Sequence, residues 1–98
     1  MKETKGDSHI EYSQDIMDNT ELTIEDILVA KKERGEGIGR KLVNRAIKYA
    51  EENGYKTVGL YAEPQTDDGL DGDALIEFYR SCGFVSDGDA AELMIYTI

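Results

Sequence analysis

Residues 34–43 read "RGEGIGRKLV", Arg34 to Val43. Glycine stands at positions 35, 37 and 39, and an apolar pattern at helical spacing follows. Glycine weakens a helix by freeing the unfolded backbone. A chain that crowds glycines at a helix start therefore needs either unusual dihedrals or a backbone that a ligand can approach closely. Downstream, Ile38, Leu42, Val43, Ala46, Ile47 and Ala50 share one face at a period of 3.6 residues, and Asn53-Gly54 supplies a stop. Upstream, "LTIEDILV", Leu22 to Val29, begins with apolar residues at period two and ends in the continuous run Ile27 to Val29. That switch predicts a strand passing into a buried position, with a bulge.

The unit is thus strand, charged turn, glycine turn and helix. A Walker loop needs Lys-Ser or Lys-Thr after its last glycine, and "GEGIGRKL" has neither. A dinucleotide fingerprint needs its third glycine one residue later. What remains is an anion site made of free amides at the positive end of a helix dipole, to which Arg34 or Arg40 could add charge. The alternative is a glycine turn that binds nothing.

The rest of the chain frames this unit. Met1 to Ser8 is polar and is expected to be loose. Ile10 and Tyr12 alternate with polar neighbours as in a short strand, and "DIMDNT" reads as a turn. "TVGLY", Thr57 to Tyr61, reads as a buried strand, followed by the aspartate-rich loop "AEPQTDDGLDGD". A second helix is expected over Ala74 to Cys82, and Phe84-Val85 with Leu93 to Ile98 form a closing hairpin. Strands alternating with helices imply a crossover unit, so the fold class is α+β: a mixed, mostly antiparallel sheet with two main helices packed on it.

Ninety-eight residues make one small domain, residues 1–98. A formal net charge of −10 argues against direct nucleic-acid binding, which needs a basic stripe. It suits a basic partner or substrate, or a soluble acidic protein. The lone cysteine, Cys82, cannot form an internal disulfide, which points to a reducing, cytoplasmic location. No apolar run reaches membrane-span length, so no membrane partner is expected. Cys82 reads as a helix-end core residue, and His9, the only histidine, as a surface residue with no metal partners at ligand spacing.

The stretch "ILVAKKERGEGIGRKL" resembles the acetyl-CoA motif of the GNAT superfamily of acyl-CoA N-acyltransferases, with Arg34, Gly37 and Gly39 in order after Val29. The family's second signature, Tyr-x-x-x-Gly-Phe at a helix end, stands here in "FYRSCGF", Phe78 to Phe84. The resemblance runs from Leu22 to Ile98. Over Gly59 to Ser81, "GLYAEPQ" and "LIEFYRS" also resemble the very small phage-type members, which include an anti-CRISPR acetyltransferase that modifies a lysine on a CRISPR effector nuclease.

The resemblance implies an abbreviated GNAT-like fold with acetyl-CoA as cosubstrate and no metal. Backbone groups of Ile27, Leu28 and Val29 would hold the pantetheine arm, with Asp71, Phe78 and Tyr79 beside it. The amides of Arg34, Gly35, Glu36, Gly37, Ile38, Gly39 and Arg40 would hold the pyrophosphate. Tyr79 would donate a proton to the leaving thiolate. Glu25 is the first choice for the base that removes the amine proton, ahead of Asp26 and Glu63. Most members carry further elements before the motif strand, which wall the acceptor pocket. Their absence here implies an open acidic groove that admits a lysine of a basic protein, or a homodimer that completes the wall. The expected function is acetyl transfer to such a lysine in a bacterial or phage-infected cell. The alternatives are acetylation of a polyamine or other small amine, and a catalytically silent CoA-binding acidic module.

Overall fold

A computed structural model describes residues 1–33, 35–62, 72–88 and 90–98, with Lys31 described in its backbone alone. Arg34, Glu63, Asp67, Asp68 and Asp71 lie outside the described residues. The described elements are strands β1 (Lys2–Lys5), β2 (Ser8–Gln14) and β3 (Glu21–Leu28), a single 3-10 turn (Lys31–Glu33), helix α1 (Ile38–Glu52), strand β4 (Thr57–Tyr61), helix α2 (Gly72–Ser81), and strands β5 (Val85–Ser86) and β6 (Leu93–Thr97). The strands form one sheet in the order β1-β2-β3-β4-β6-β5. Among the described residues only β3 and β4 pair in parallel, and α1 makes the crossover between them. The α+β expectation is met.

The N-terminus differs from expectation. Residues 1–8 were expected to be loose, yet Lys2–Lys5 pairs antiparallel with β2 through a two-residue turn at Gly6 and Asp7. Gly6 takes φ +62°, which a hairpin turn of this length requires. The Met1 ammonium donates to the Tyr12 carbonyl at 2.7 Å and so closes the end of the strand. Glu3 faces the helix side, where it accepts from the Tyr12 hydroxyl at 2.5 Å and pairs with Arg45 at 3.5 Å. Polar partners on both faces explain why no apolar alternation announced this strand.

All six apolar positions expected on α1 are buried. They pack on the sheet face that carries Ile10, Tyr12, Leu22, Ile24, Val58 and Met94. The opposite face of β2 presents His9, Glu11 and Ser13, with no helix over it among the described residues. α2 starts two residues before the expected Ala74, at Gly72, and Gly83 turns the chain out at φ +102°. The two helices meet where α1 begins and α2 ends. There Arg40 of α1 donates to the Ser81 carbonyl at 2.9 Å and to its hydroxyl at 2.7 Å.

Candidate active site

The cleft is made by two interruptions of strand pairing. The parallel ladder of β3 with β4 runs from Glu21↔Thr57 to Ile24↔Leu60 and stops. On its other side, β3 pairs Asp26 with Glu11 and Ile24 with Tyr12, so Glu25 is an extra residue. A bulge bends its strand and increases the local twist. Beyond Ile24, β3 therefore leaves β4, while Asp26, Ile27 and Leu28 keep their partners on β2. The bulge that the sequence predicts thus sits at Glu25. The opening is lined by Ile24, Glu25, Asp26, Ile27, Leu60, Tyr61 and Tyr79 and holds about 230 Å³ of space, part of it open solvent. A strand edge facing such a gap can pair with an extended ligand as if with another strand.

The glycine turn lies at the next step along the chain. Ser8 secures its approach: the buried hydroxyl donates to Glu33 Oε1 at 2.6 Å and accepts from the Ala30 amide at 2.9 Å. Gly35 and Gly37 then take φ +84° and +76°, left-handed values that favour glycine. Gly37 caps α1 without any side-chain bond, and the first bond within the helix is Lys41 N–H to the Gly37 carbonyl at 3.1 Å. The amides of Ile38, Gly39 and Arg40 precede that bond and point out at the positive end of the helix dipole. A Cβ on Gly35 or Gly37 would meet nothing within 4 Å, so space lies open beside the turn. Glu36 between them is exposed, and Ile38 is buried.

Gly39 works differently. A Cβ there would lie 3.3 Å from Phe78 Cζ and 3.3 Å from Val29 Cγ2. The third glycine lets α1 press against the end of β3 and against α2. The Arg40 side chain is likewise engaged with Ser81, which leaves its backbone amide as the group nearest the turn.

Tyr79 reaches the cleft from α2 and is 4 % exposed. Its ring packs at 5.2 Å from Phe78 and 5.8 Å from Phe84, both edge-on. Burial, then the neighbouring Cys82 and Asp26, push its phenol pKa above the usual value. The hydroxyl is therefore protonated at neutral pH and can donate. Cys82 is half-buried, and burial raises its thiol too, so it is held as a thiol rather than a nucleophilic thiolate.

The sheet face without helices meets this cleft at the bulge. Glu25 is exposed there and accepts a hydrogen bond from the Ser13 hydroxyl. Asp26, half-buried, is bonded to His9 Nε2 at 2.8 Å. His9 is thus not the solvated surface residue that its sequence context suggests, for its side chain is 19 % exposed. Glu11, next on the same face, pairs with Lys2 at 3.7 Å. Polar atoms of His9, Glu11 and Asp26 lie within 4.8 Å of one another. These pairings make the group a hydrogen-bonded polar network, and no metal is assigned to it.

Comparison with known proteins agrees with this geometry. A model of the acetyltransferase (GNAT) family matches residues 8–84. An uncharacterized N-acetyltransferase of Methanocaldococcus jannaschii, MJ1207, is 39 % identical over 61 residues, 62 % of this chain and 24 % of that protein. An uncharacterized N-acetyltransferase of the alga Gracilaria tenuistipitata, ycf52, is 28 % identical over 76 % of this chain and 36 % of its own length. The chain thus spans between a quarter and about a third of these curated relatives. Among solved structures, the anti-CRISPR protein AcrVA5 is similar at a TM-score of 0.83 and 35 % identity, covering 99 % of this chain and 97 % of AcrVA5. A Bacillus anthracis protein assigned as a streptothricin acetyltransferase, solved with acetyl coenzyme A, is similar at a TM-score of 0.71 and 26 % identity over 93 % of this chain and 55 % of that one.

Proposed function

The chain belongs to the GNAT acetyltransferase family, and from that premise we propose that it transfers the acetyl group of acetyl-CoA to a primary amine, a lysine side chain on a basic protein. One observation carries this reading. The gap between β3 and β4 is continuous with a neutral, buried tyrosine, and an uncapped glycine-rich helix start lies on the same connection. Acetyl-CoA supplies the activated acyl group. The edge of β3 at Ile27 and Leu28 pairs with its extended arm, and the amides from Gly35 to Arg40 hold its phosphates, together with Arg34. Asp71 and Phe78 are assigned to the arm as well. Tyr79 donates a proton to the departing sulfur.

The acceptor arrives from the helix-free face, where Glu25 and Asp26 line the opening and Glu11 lies beside Asp26. An ammonium group is drawn there by Coulomb attraction, and Glu25 is the carboxylate at the bulge itself. The likeness to AcrVA5 supports a CRISPR effector nuclease as the protein that bears the lysine, in the cytoplasm of a bacterium or its phage-infected cell. A polyamine is the second reading, because the same carboxylates would draw it equally.

The test is intact-mass measurement after incubation with acetyl-CoA, on basic proteins and on free polyamines in parallel. A gain of one acetyl group on a protein lysine supports the reading. Faster acetylation of the polyamine overturns the choice of acceptor. Binding of acetyl-CoA without transfer to any amine reduces the protein to a silent CoA-binding module.

A further inference from the structure

We infer that His9, held by Asp26, is the base that takes the proton from the incoming amine. The inference rests on the acetyltransferase reading above and deepens it. A lysine amine with a pKa near 10.4 is almost wholly protonated at neutral pH, so a proton must leave before nitrogen can attack. Glu25 stands at the bulge, but an exposed carboxylate is a weak acceptor for an ammonium proton. Imidazole is the side chain whose ordinary titration falls near neutrality, which suits a base working there.

Three observations place His9 in that role. Its Nε2 lies 2.8 Å from Asp26 Oδ2, and Asp26 lines the cleft beside Glu25 and Tyr79. Asp26 and the proposed proton donor Tyr79 line the same opening, and His9 stands directly behind Asp26 on the neighbouring strand β2. His9 and Asp26 also stand on the face free of helices, from which an acceptor can approach. With Nε2–H donated to Asp26, Nδ1 keeps its lone pair, and no bond to Nδ1 is found among the described residues. The carboxylate fixes the ring and stabilises the imidazolium that forms. Asp26 is then a positioning residue. The other groups facing the ring are Thr4, opposite it on β1, Lys2 paired with Glu11 on the adjoining strands, and Glu25 and Leu28 on β3.

The step balances without a further reactant. The ammonium gives one proton to Nδ1, directly or through one water. The amine nitrogen bonds to the acetyl carbon and the carbon–sulfur bond breaks. Tyr79 gives its proton to the sulfur, and its oxygen is re-protonated by the second proton leaving nitrogen. Imidazolium then releases the first proton to solvent.

His9 is the only histidine in the chain, so one imidazole NMR signal reports its titration directly. The experiment measures kcat/KM against pH with acetyl-CoA and a lysine-rich peptide blocked at its N-terminus. It is run on the full chain, wild type and the variants His9→Gln, Asp26→Asn and Glu25→Gln. In the wild type, the rate should level off at the pH where the imidazole signal titrates. His9→Gln should lose roughly 10²–10⁴-fold near neutrality. Its rate should then climb without levelling until the amine's own range near pH 10. Its thermal stability and acetyl-CoA binding should match wild type, which separates a lost base from a damaged fold. Asp26→Asn should move the NMR midpoint and the kinetic limb together, and Glu25→Gln, which removes a second carboxylate of the same opening, should move both by less. An active wild type whose limb does not coincide with the imidazole titration overturns the inference, even if His9→Gln does not fold. So does a His9→Gln profile equal to wild type. A wild type that acetylates no amine overturns the functional reading, and this inference with it.

Discussion

Gly37 offers the sharpest test of where the phosphates sit. It takes φ +76° and caps α1, and a Cβ there would meet nothing within 4 Å. Any L-residue at this position carries about 1–2 kcal/mol of left-handed strain. Gly37→Ala and Gly37→Asp share that cost, and they differ in a carboxylate aimed at the turn. In wild type, acetyl-CoA at a hundredfold excess over its Kd should add about 2.7 kcal/mol of stability. For a domain of this size that is a rise of roughly 10–20 °C in Tm. A carboxylate about 4 Å from one phosphate charge costs about 1 kcal/mol fully in water and about 4 kcal/mol at an effective dielectric near 20. At the same ligand concentration, the gain then falls to between about 1.7 kcal/mol and almost nothing. The assay is thermal unfolding of each variant with and without acetyl-CoA. Both variants should start lower than wild type by the strain, and the alanine variant should keep most of the ligand shift. If the aspartate variant shifts as far as the alanine variant, the phosphates do not lie on this turn.

Tyr79→Phe keeps the ring contacts with Phe78 and Phe84 while removing the hydroxyl. Single-turnover acetyl transfer should slow by roughly 10²–10⁴-fold with little change in acetyl-CoA affinity; an unchanged rate would return Tyr79 to a packing role. The raised phenol of Tyr79 also predicts alkaline sensitivity. Above about pH 10 the unfolded chain loses that proton while the folded chain keeps it, so stability falls as pH rises. Denaturant unfolding followed from about pH 9 to about pH 11 should show a total fall in stability smaller by about 1.4 kcal/mol in Tyr79→Phe. Salt should lower kcat/KM for a lysine-rich peptide, because attraction to Glu11, Glu25 and Asp26 is screened beyond about 8 Å at physiological ionic strength. A rate independent of salt would remove the acidic face from acceptor capture.

The six apolar positions of α1 and the stop at Asn53-Gly54 were legible in the sequence, and the structure buries or turns the chain at each. So was the break in β3, because a bulge shows as a slip in alternation within one strand. The glycines were legible as a group but not as individuals. Gly35 and Gly37 serve the turn, whereas Gly39 serves the contact with Phe78 and Val29, and only the packed helices separate these roles. β1 was not legible, since its Glu3 is satisfied by Tyr12 and Arg45 rather than by apolar burial.

The meeting of His9 with Asp26, 17 residues apart in the chain, depends on the antiparallel register of β2 with β3. The cleft depends on where the β3–β4 ladder ends. Periodicity records which face of an element turns inward, because burial acts on each side chain where it stands. Strand partners and register are set by backbone hydrogen bonds between distant segments. Those bonds are nearly the same for every residue type and leave no mark in the sequence, so the tertiary structure alone brings Tyr79, Glu25 and Asp26 to one opening, with His9 bonded to Asp26.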